Sequence, residues 1–153
     1  MSAWARLRHE LAAIVVLTML LLAMAMFAPP VASAASAPQV QSNGGVDYVS
    51  GGIGKDEADA LRRQSVDYPL TLEFASSQGR TASGDAAYVA DVDVSITDAG
   101  GRQVLATRSG GPLLLVRLPP GEYTVVAEWN GVRKEHPVDI PQGGGRRHVV
   151  LMW

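Results

Sequence analysis

Between residues 113 and 131 apolar and polar positions alternate around two turn signals. Upstream, Leu114, Val116 and Leu118 share one face. Downstream, Tyr123, Val125, Ala127 and Trp129 share one face, with Thr124 and Glu128 opposite. A period of two is that of a half-buried strand. Pro119-Pro120-Gly121-Glu122 fits a type II turn, with Pro120 presetting φ at the second position and Gly121 supplying positive φ at the third. Asn130-Gly131 is the hairpin signal of a type I′ turn, which needs positive φ at both central residues. The stretch therefore predicts strand, turn, strand, turn, strand. Its prolines, glycines and β-branched residues argue against a buried helix.

The same alternation recurs on both sides. Leu70, Leu72 and Phe74 share a face in a strand opened by Pro69. Ser76 to Gly84 reads as a polar loop. Tyr88, Ala90, Val92, Val94 and Ile96 share a face over residues 88–97, and Asp98-Ala99-Gly100-Gly101 turns the chain into Gln103–Thr107. Val132–Ile140 and Arg147–Trp153 follow, separated by Gly143-Gly144-Gly145. This predicts an all-β domain over 69–153, an antiparallel β-sandwich of about seven strands. Lys55–Gln64 reads as a short helix within 55–65. Asp56, Glu57 and Asp59 lie in its first turns and Arg62 and Arg63 in its last, which complements the helix dipole. Residues 35–54 read as a glycine-rich flexible segment anchored only by Val46, Tyr48 and Ile53.

The N-terminus has a different pattern. Arg6 and Arg8 precede Leu11–Ala28, an apolar run whose only polar member is Thr18. Pro29-Pro30 breaks the run, and small residues follow. This is the layout of a signal peptide over residues 1–34, with Ala32 and Ala34 at the −3 and −1 positions. The expected location is periplasmic or secreted. An uncleaved membrane anchor is the alternative, since the run is near the lower limit for a span.

Composition removes several chemistries. The formal net charge of −2 gives no reason to expect nucleic acid, and the absence of cysteine excludes disulfides and thiolate metal sites. Gly51-Gly52-Ile53-Gly54-Lys55 is not a phosphate loop, because Val49 stands where the first glycine belongs and Asp56 where Ser or Thr belongs. With no His-Glu-x-x-His, a zinc hydrolase is not expected, and His136 and His148 read as surface or edge histidines. There is no Gly-x-Ser-x-Gly elbow. Asp91 and Asp93, two apart on a strand, join Asp98 as possible calcium ligands, but the ligand-rich loop of a calcium site is missing. A solvated strand face is the better reading. No cofactor and no metal site are expected.

Val92-Asp93-Val94-Ser95-Ile96 with Asp98-Ala99-Gly100-Gly101, then Leu118-Pro119-Pro120-Gly121-Glu122-Tyr123-Thr124-Val125, resembles the carboxypeptidase regulatory-like domain, a transthyretin-like or prealbumin-like sandwich. The resemblance covers about residues 70–153. Tyr48-Val49-Ser50-Gly51-Gly52-Ile53-Gly54-Lys55-Asp56-Glu57, together with Trp153, resembles a group of small exported proteobacterial proteins without an assigned activity. The resemblance implies a periplasmic, non-catalytic module and carries no active-site residues. The Val150-Leu151-Met152-Trp153 ending lacks the tail of the transthyretin-like hydroxyisourate hydrolases. Glu73 on the first strand, with no lysine there, removes the internal Lys-Asn bond of pilin-type sandwiches.

The functional expectation is a non-catalytic binding or scaffolding module whose partner is a protein or another cell-envelope component. One alternative is a carboxylate-based hydrolase using Asp56, Glu57 and Asp59. The other is a membrane-tethered structural protein. Tyr48, Gly51, Gly52, Ile53, Gly54, Asp56 and Glu57 form a candidate docking segment. Glycines there permit close backbone approach to a partner. The same residues are equally suited to fold back over a sheet of their own domain.

Overall fold

The computed structural model describes residues 38–80 and 86–153. The expected signal peptide lies outside the described residues. Among the described residues ten strands and one α-helix follow in order: β1 Gln41–Asn43, β2 Val46–Gly51, α1 Lys55–Gln64, β3 Leu70–Arg80, β4 Ala86–Tyr88, β5 Asp93–Asp98, β6 Gln103–Arg108, β7 Leu113–Arg117, β8 Gly121–Trp129, β9 Val132–Ile140 and β10 Arg147–Met152. A 3₁₀ turn, Ser65–Asp67, follows α1. One sheet has the order β1-β2-β7-β3-β10, with β4 also on β3; the other has the order β6-β5-β8-β9.

Both sheets contribute to one apolar core. Tyr48, Leu72, Phe74, Leu114 and Val116 come from the first, and Ile96, Val125 and Ala127 from the second. β7 shows why its sequence is a continuous apolar run. Leu114 and Val116 face that core, while Leu113 and Leu115 face a second cluster with Val49, Ala58, Leu61 and Tyr68. A strand covered on both faces has no polar side to alternate with. α1 supplies the second cover. Leu61 is fully buried, a gain of roughly 1.5–3 kcal/mol that a ten-residue helix needs to persist.

The segment expected to be flexible is instead part of the sheet. β2 lies between β1 and β7, pairing Tyr48 with Gln41 on one side and Val116 on the other. Asn43-Gly44-Gly45-Val46 makes the hairpin, with φ of 63° and 84° at the two glycines, positive φ at both central positions of a two-residue turn. The Tyr48 hydroxyl donates to Gln41 Oε1 at 2.9 Å and accepts from Thr107 at 3.0 Å.

Three further expectations change. Of the loop expected over Ser76 to Gly84, Ser76–Arg80 continues β3 and pairs with β4, and the remainder lies outside the described residues. The run 88–97 is broken, because the chain leaves one sheet after Tyr88 and enters the other at Asp93. Asp91, with φ 60°, marks the crossing, and Tyr88 is exposed while Val89 is buried. Finally, the strands are not all antiparallel: β10 pairs with β3 in parallel, Arg147 opposite Leu70 through Met152 opposite Ala75.

Pro119–Pro120 also behaves differently from a hairpin turn. β7 and β8 belong to different sheets, so the diproline segment is a crossing, and Gly121 has φ 153°, far from the type II value. The Tyr123 hydroxyl donates to the Pro119 carbonyl at 3.0 Å and fastens the crossing. Asn130-Gly131 does form the expected tight turn, with φ 48° and 75° and Trp129 opposite Val132.

Side chains tie the sheets together along both seams. Asn43 Nδ2 donates to the Ala106 carbonyl at 2.8 Å, and Trp153 Nε1 donates to the Val132 carbonyl at 2.8 Å. Among the described residues no buried side-chain nitrogen or oxygen lacks a partner. The β6–β7 loop packs on β2, where Gly110 N donates to Ser50 Oγ at 2.7 Å. A Cβ on the buried Gly111 would collide with the Gly51 carbonyl, whereas one on Gly110 would meet only Ser50 Oγ at 3.8 Å. Gly111→Ala is therefore expected to cost about 1–3 kcal/mol in urea denaturation, and Gly110→Ala much less. Equal midpoints for the two variants would contradict this packing.

Candidate functional site

α1 lies on the outer face of the first sheet, and its C-terminal half stands above the start of β3 and β10. A cleft of about 330 Å³ opens there. Its floor is Leu61, Leu113 and Leu115, which are at most 2 % exposed. Its walls are polar, because β3 and β10 turn their solvent-side residues into it.

Glu73 is the centre of this wall. Alternation along β3 sends Leu72 and Phe74 to the core and leaves Thr71 and Glu73 on the outer face. Glu73 keeps only 16 % of its side chain exposed. His148 on the neighbouring β10 places Nε2 at 2.9 Å from Glu73 Oε2. Arg62 reaches down from α1 to 4.0 Å from Oε1. One carboxylate thus meets a histidine on one oxygen and a guanidinium on the other.

Arg62 is itself held in place. It lies 3.5 Å from Asp59, one turn back on the helix, and its guanidinium sits 5.9 Å from the Tyr88 ring centre. At the mouth, Arg146 Nη1 donates to the Val66 carbonyl at 3.4 Å. Arg147 donates through Nε to the Asp139 carbonyl at 2.9 Å and stands 3.8 Å from the Asp139 carboxylate. The Ser65 hydroxyl donates to the Arg62 carbonyl at 2.7 Å, so it is engaged as a helix-end partner.

The docking-segment residues do not gather at this cleft. Tyr48, Gly51 and Gly52 are buried within the domain. Glu57 is half-buried, its carboxylate lying over the Cα of Gly51, while Gly54 and Asp56 are exposed. Ile53 is 66 % exposed at the tip before α1. Of the acidic cluster on α1, Asp59 accepts from Lys55 Nζ at 2.8 Å, and that hydrogen bond and the Lys55 charge hold its carboxyl below the usual range. A general acid at neutral pH requires the opposite direction.

Of the possible calcium ligands, Asp91 and Asp93 line one cleft and Asp98 lies at the other end of β5. Asp91 sits on the crossing, 3.5 Å from Arg108, and Asp93 begins β5. Asp98 ends β5 and closes its turn. Its Oδ1 accepts from the amides of Gly100 and Arg102 at 3.0 Å each, and its Oδ2 accepts from Arg102 Nε at 3.0 Å. The Arg102 amide above all, and then its side chain, keep the Asp98 carboxyl below its ordinary range. Among the described residues no group of three or more His, Asp or Glu is placed to hold a metal ion. Among the same residues no helix is long and apolar enough to cross a membrane.

His136 is an exposed residue of β9, as an edge histidine should be. His148 is also on an edge strand, but its bond to Glu73 gives it a second role that sequence reasoning missed. The local signal was faint: Arg146-Arg147-His148 concentrates charge before an apolar strand, and Glu73 interrupts a β-rich run. No protein-family model matches the chain, and no curated protein matches it.

Proposed function

We propose that this chain is an exported, non-catalytic binding module on a transthyretin-like β-sandwich, and that it holds its ligand in the cleft beneath α1. The observation that carries this reading is the cleft itself, where three separated parts of the chain bring charged side chains over a sealed leucine floor. Its volume of about 330 Å³ falls at the lower end of small-molecule sites, which run from roughly 300 to 1,000 Å³. Two sheets around one core, joined by crossings near 89–92 and 118–121, support the sandwich assignment. The leader pattern of residues 1–34 supports export to the periplasm, and a component of the cell envelope is the expected partner.

Binding without turnover is supported by the way the polar groups are engaged. Glu73 is bonded to His148 through one oxygen and lies at ion-pair distance from Arg62 through the other, and the Ser65 hydroxyl is spent on backbone. Native mass spectrometry of the protein purified from the periplasm tests the reading. The expected result is one small molecule retained per chain and released chemically unchanged on denaturation. Recovery of the bare polypeptide, or consumption of the bound compound over many turnovers, would refute it.

A further inference from the structure

We infer that the α1 cleft is a site for a doubly charged oxyanion, a phosphate group or a compact dicarboxylate. This inference rests on the binding-module reading above and names the chemistry of its ligand.

The charge of the cleft carries the argument. Arg62, Arg146 and Arg147 line it, against the single carboxylate of Glu73. Glu73 does not repel an incoming anion as a bare carboxylate does, because His148 and Arg62 already contact its oxygens. Asp59 and Asp139 partly compensate Arg62 and Arg147, at 3.5 and 3.8 Å. Arg146 differs from them. Among the described residues no carboxylate lies within 4.0 Å of it, and its one hydrogen bond is a long one to a main-chain carbonyl. It is the group most free to turn toward a ligand.

Leu61, Leu113 and Leu115 are sealed from water by their own packing, so these leucines themselves offer an aliphatic ligand little surface. What the cleft offers is guanidinium N–H groups and the Thr71 hydroxyl. Forked guanidinium donors match the paired oxygens of carboxylates and phosphates, and such charge-assisted bonds are the strong ones. Clustered guanidiniums can meet both charges of a dianion, whereas a monoanion of similar size engages fewer of them.

Titration calorimetry at low salt and pH 8, with inorganic phosphate, succinate and acetate as separate probes, tests the inference. Phosphate or succinate should bind one per chain and more tightly than acetate, and the tighter of the two identifies the head group. Arg146→Gln, at an exposed position, should weaken that binding about tenfold or more, the loss expected for one charge-assisted hydrogen bond. Arg108→Gln, on β6 of the other sheet, removes the same charge elsewhere and should leave it unchanged. Failure of both dianions to bind, acetate binding as tightly as either, or equal effects of the two substitutions would overturn the assignment. A neutral molecule found retained by native mass spectrometry would also overturn it while leaving the binding-module reading standing. A protein that retains nothing removes the broader reading as well.

Discussion

A chain lacking residues 38–64 is expected not to fold. That segment contains β2, which is an interior strand of the larger sheet and not an appendage. Its removal would strip β7 of one hydrogen-bonded neighbour along Leu113–Arg117. It would also remove Val46 and Tyr48 from the main core, and Val49 and Leu61 from the cluster beneath α1. Each of these side chains contributes roughly 1.5–3 kcal/mol when buried, so together they rival the whole 5–15 kcal/mol by which a domain of this kind is stable. Leu113 and Leu115, now among the most buried residues, would face water. Circular dichroism melting and amide proton dispersion would show the loss. A cooperative transition within a few degrees of the full protein would return the segment to the role of a tether.

Trp153→Ala should have the next largest effect, about 3–5 kcal/mol. The indole is 8 % exposed and packs against Phe74 and Trp129, with ring centres 6.3 and 6.2 Å away and tilts of 54° and 59°. Such tilted pairs add about 0.5–1.5 kcal/mol each beyond burial. Its Nε1 donates across the seam to the Val132 carbonyl, so the residue joins the two sheets as well as filling space. Its backbone is tied as firmly, since Trp153 N donates to the Ala75 carbonyl at 2.9 Å and the Ser77 hydroxyl donates to its main-chain oxygen at 2.8 Å. Calorimetry should find the melting temperature lowered by roughly 10 °C or more. Trp153→Phe, which keeps most of the area and loses the N–H, should recover most of the difference. A fall of only two or three degrees for the alanine variant would mean the seam is held elsewhere.

Much of the strand pattern was legible because it is local. Alternation placed β8 and β9, the flanking turn signals bounded the apolar run of β7, and Asn130-Gly131 gave the last turn. α1 was legible too, from the sorted charges at its ends. β2 was misread for a physical reason. Gly44 and Gly45 make a hairpin, and Gly51 lets α1 approach the sheet, so the glycines that suggested looseness are those that permit tight packing. The same Asn-Gly signal that located the later hairpin is present at Asn43-Gly44, followed by Val46 and Tyr48 in alternation. The break at Asp91 left no such mark, since Val92 and Val94 keep the period across the change of sheet. The cleft was not legible at all. Glu73 and His148 are 75 positions apart and meet only through the parallel pairing of β3 with β10. No spacing rule records a pairing between strands so far apart.

That pairing also sets an order on assembly. β3 begins at Leu70, yet the strand it must hold on its open side runs from Arg147 to Met152. During synthesis the first half of the chain is available long before its partner. Until residue 152 has emerged, the larger sheet keeps an unpaired edge, the seam beside β9 stays unfastened and the Trp153 site is empty of its ring. Pairings over so long a separation are slow to form, because loop closure precedes the contacts that offset it. A nascent chain of this design therefore stays loose until β10 is made, which leaves a long interval for a chaperone to act on it.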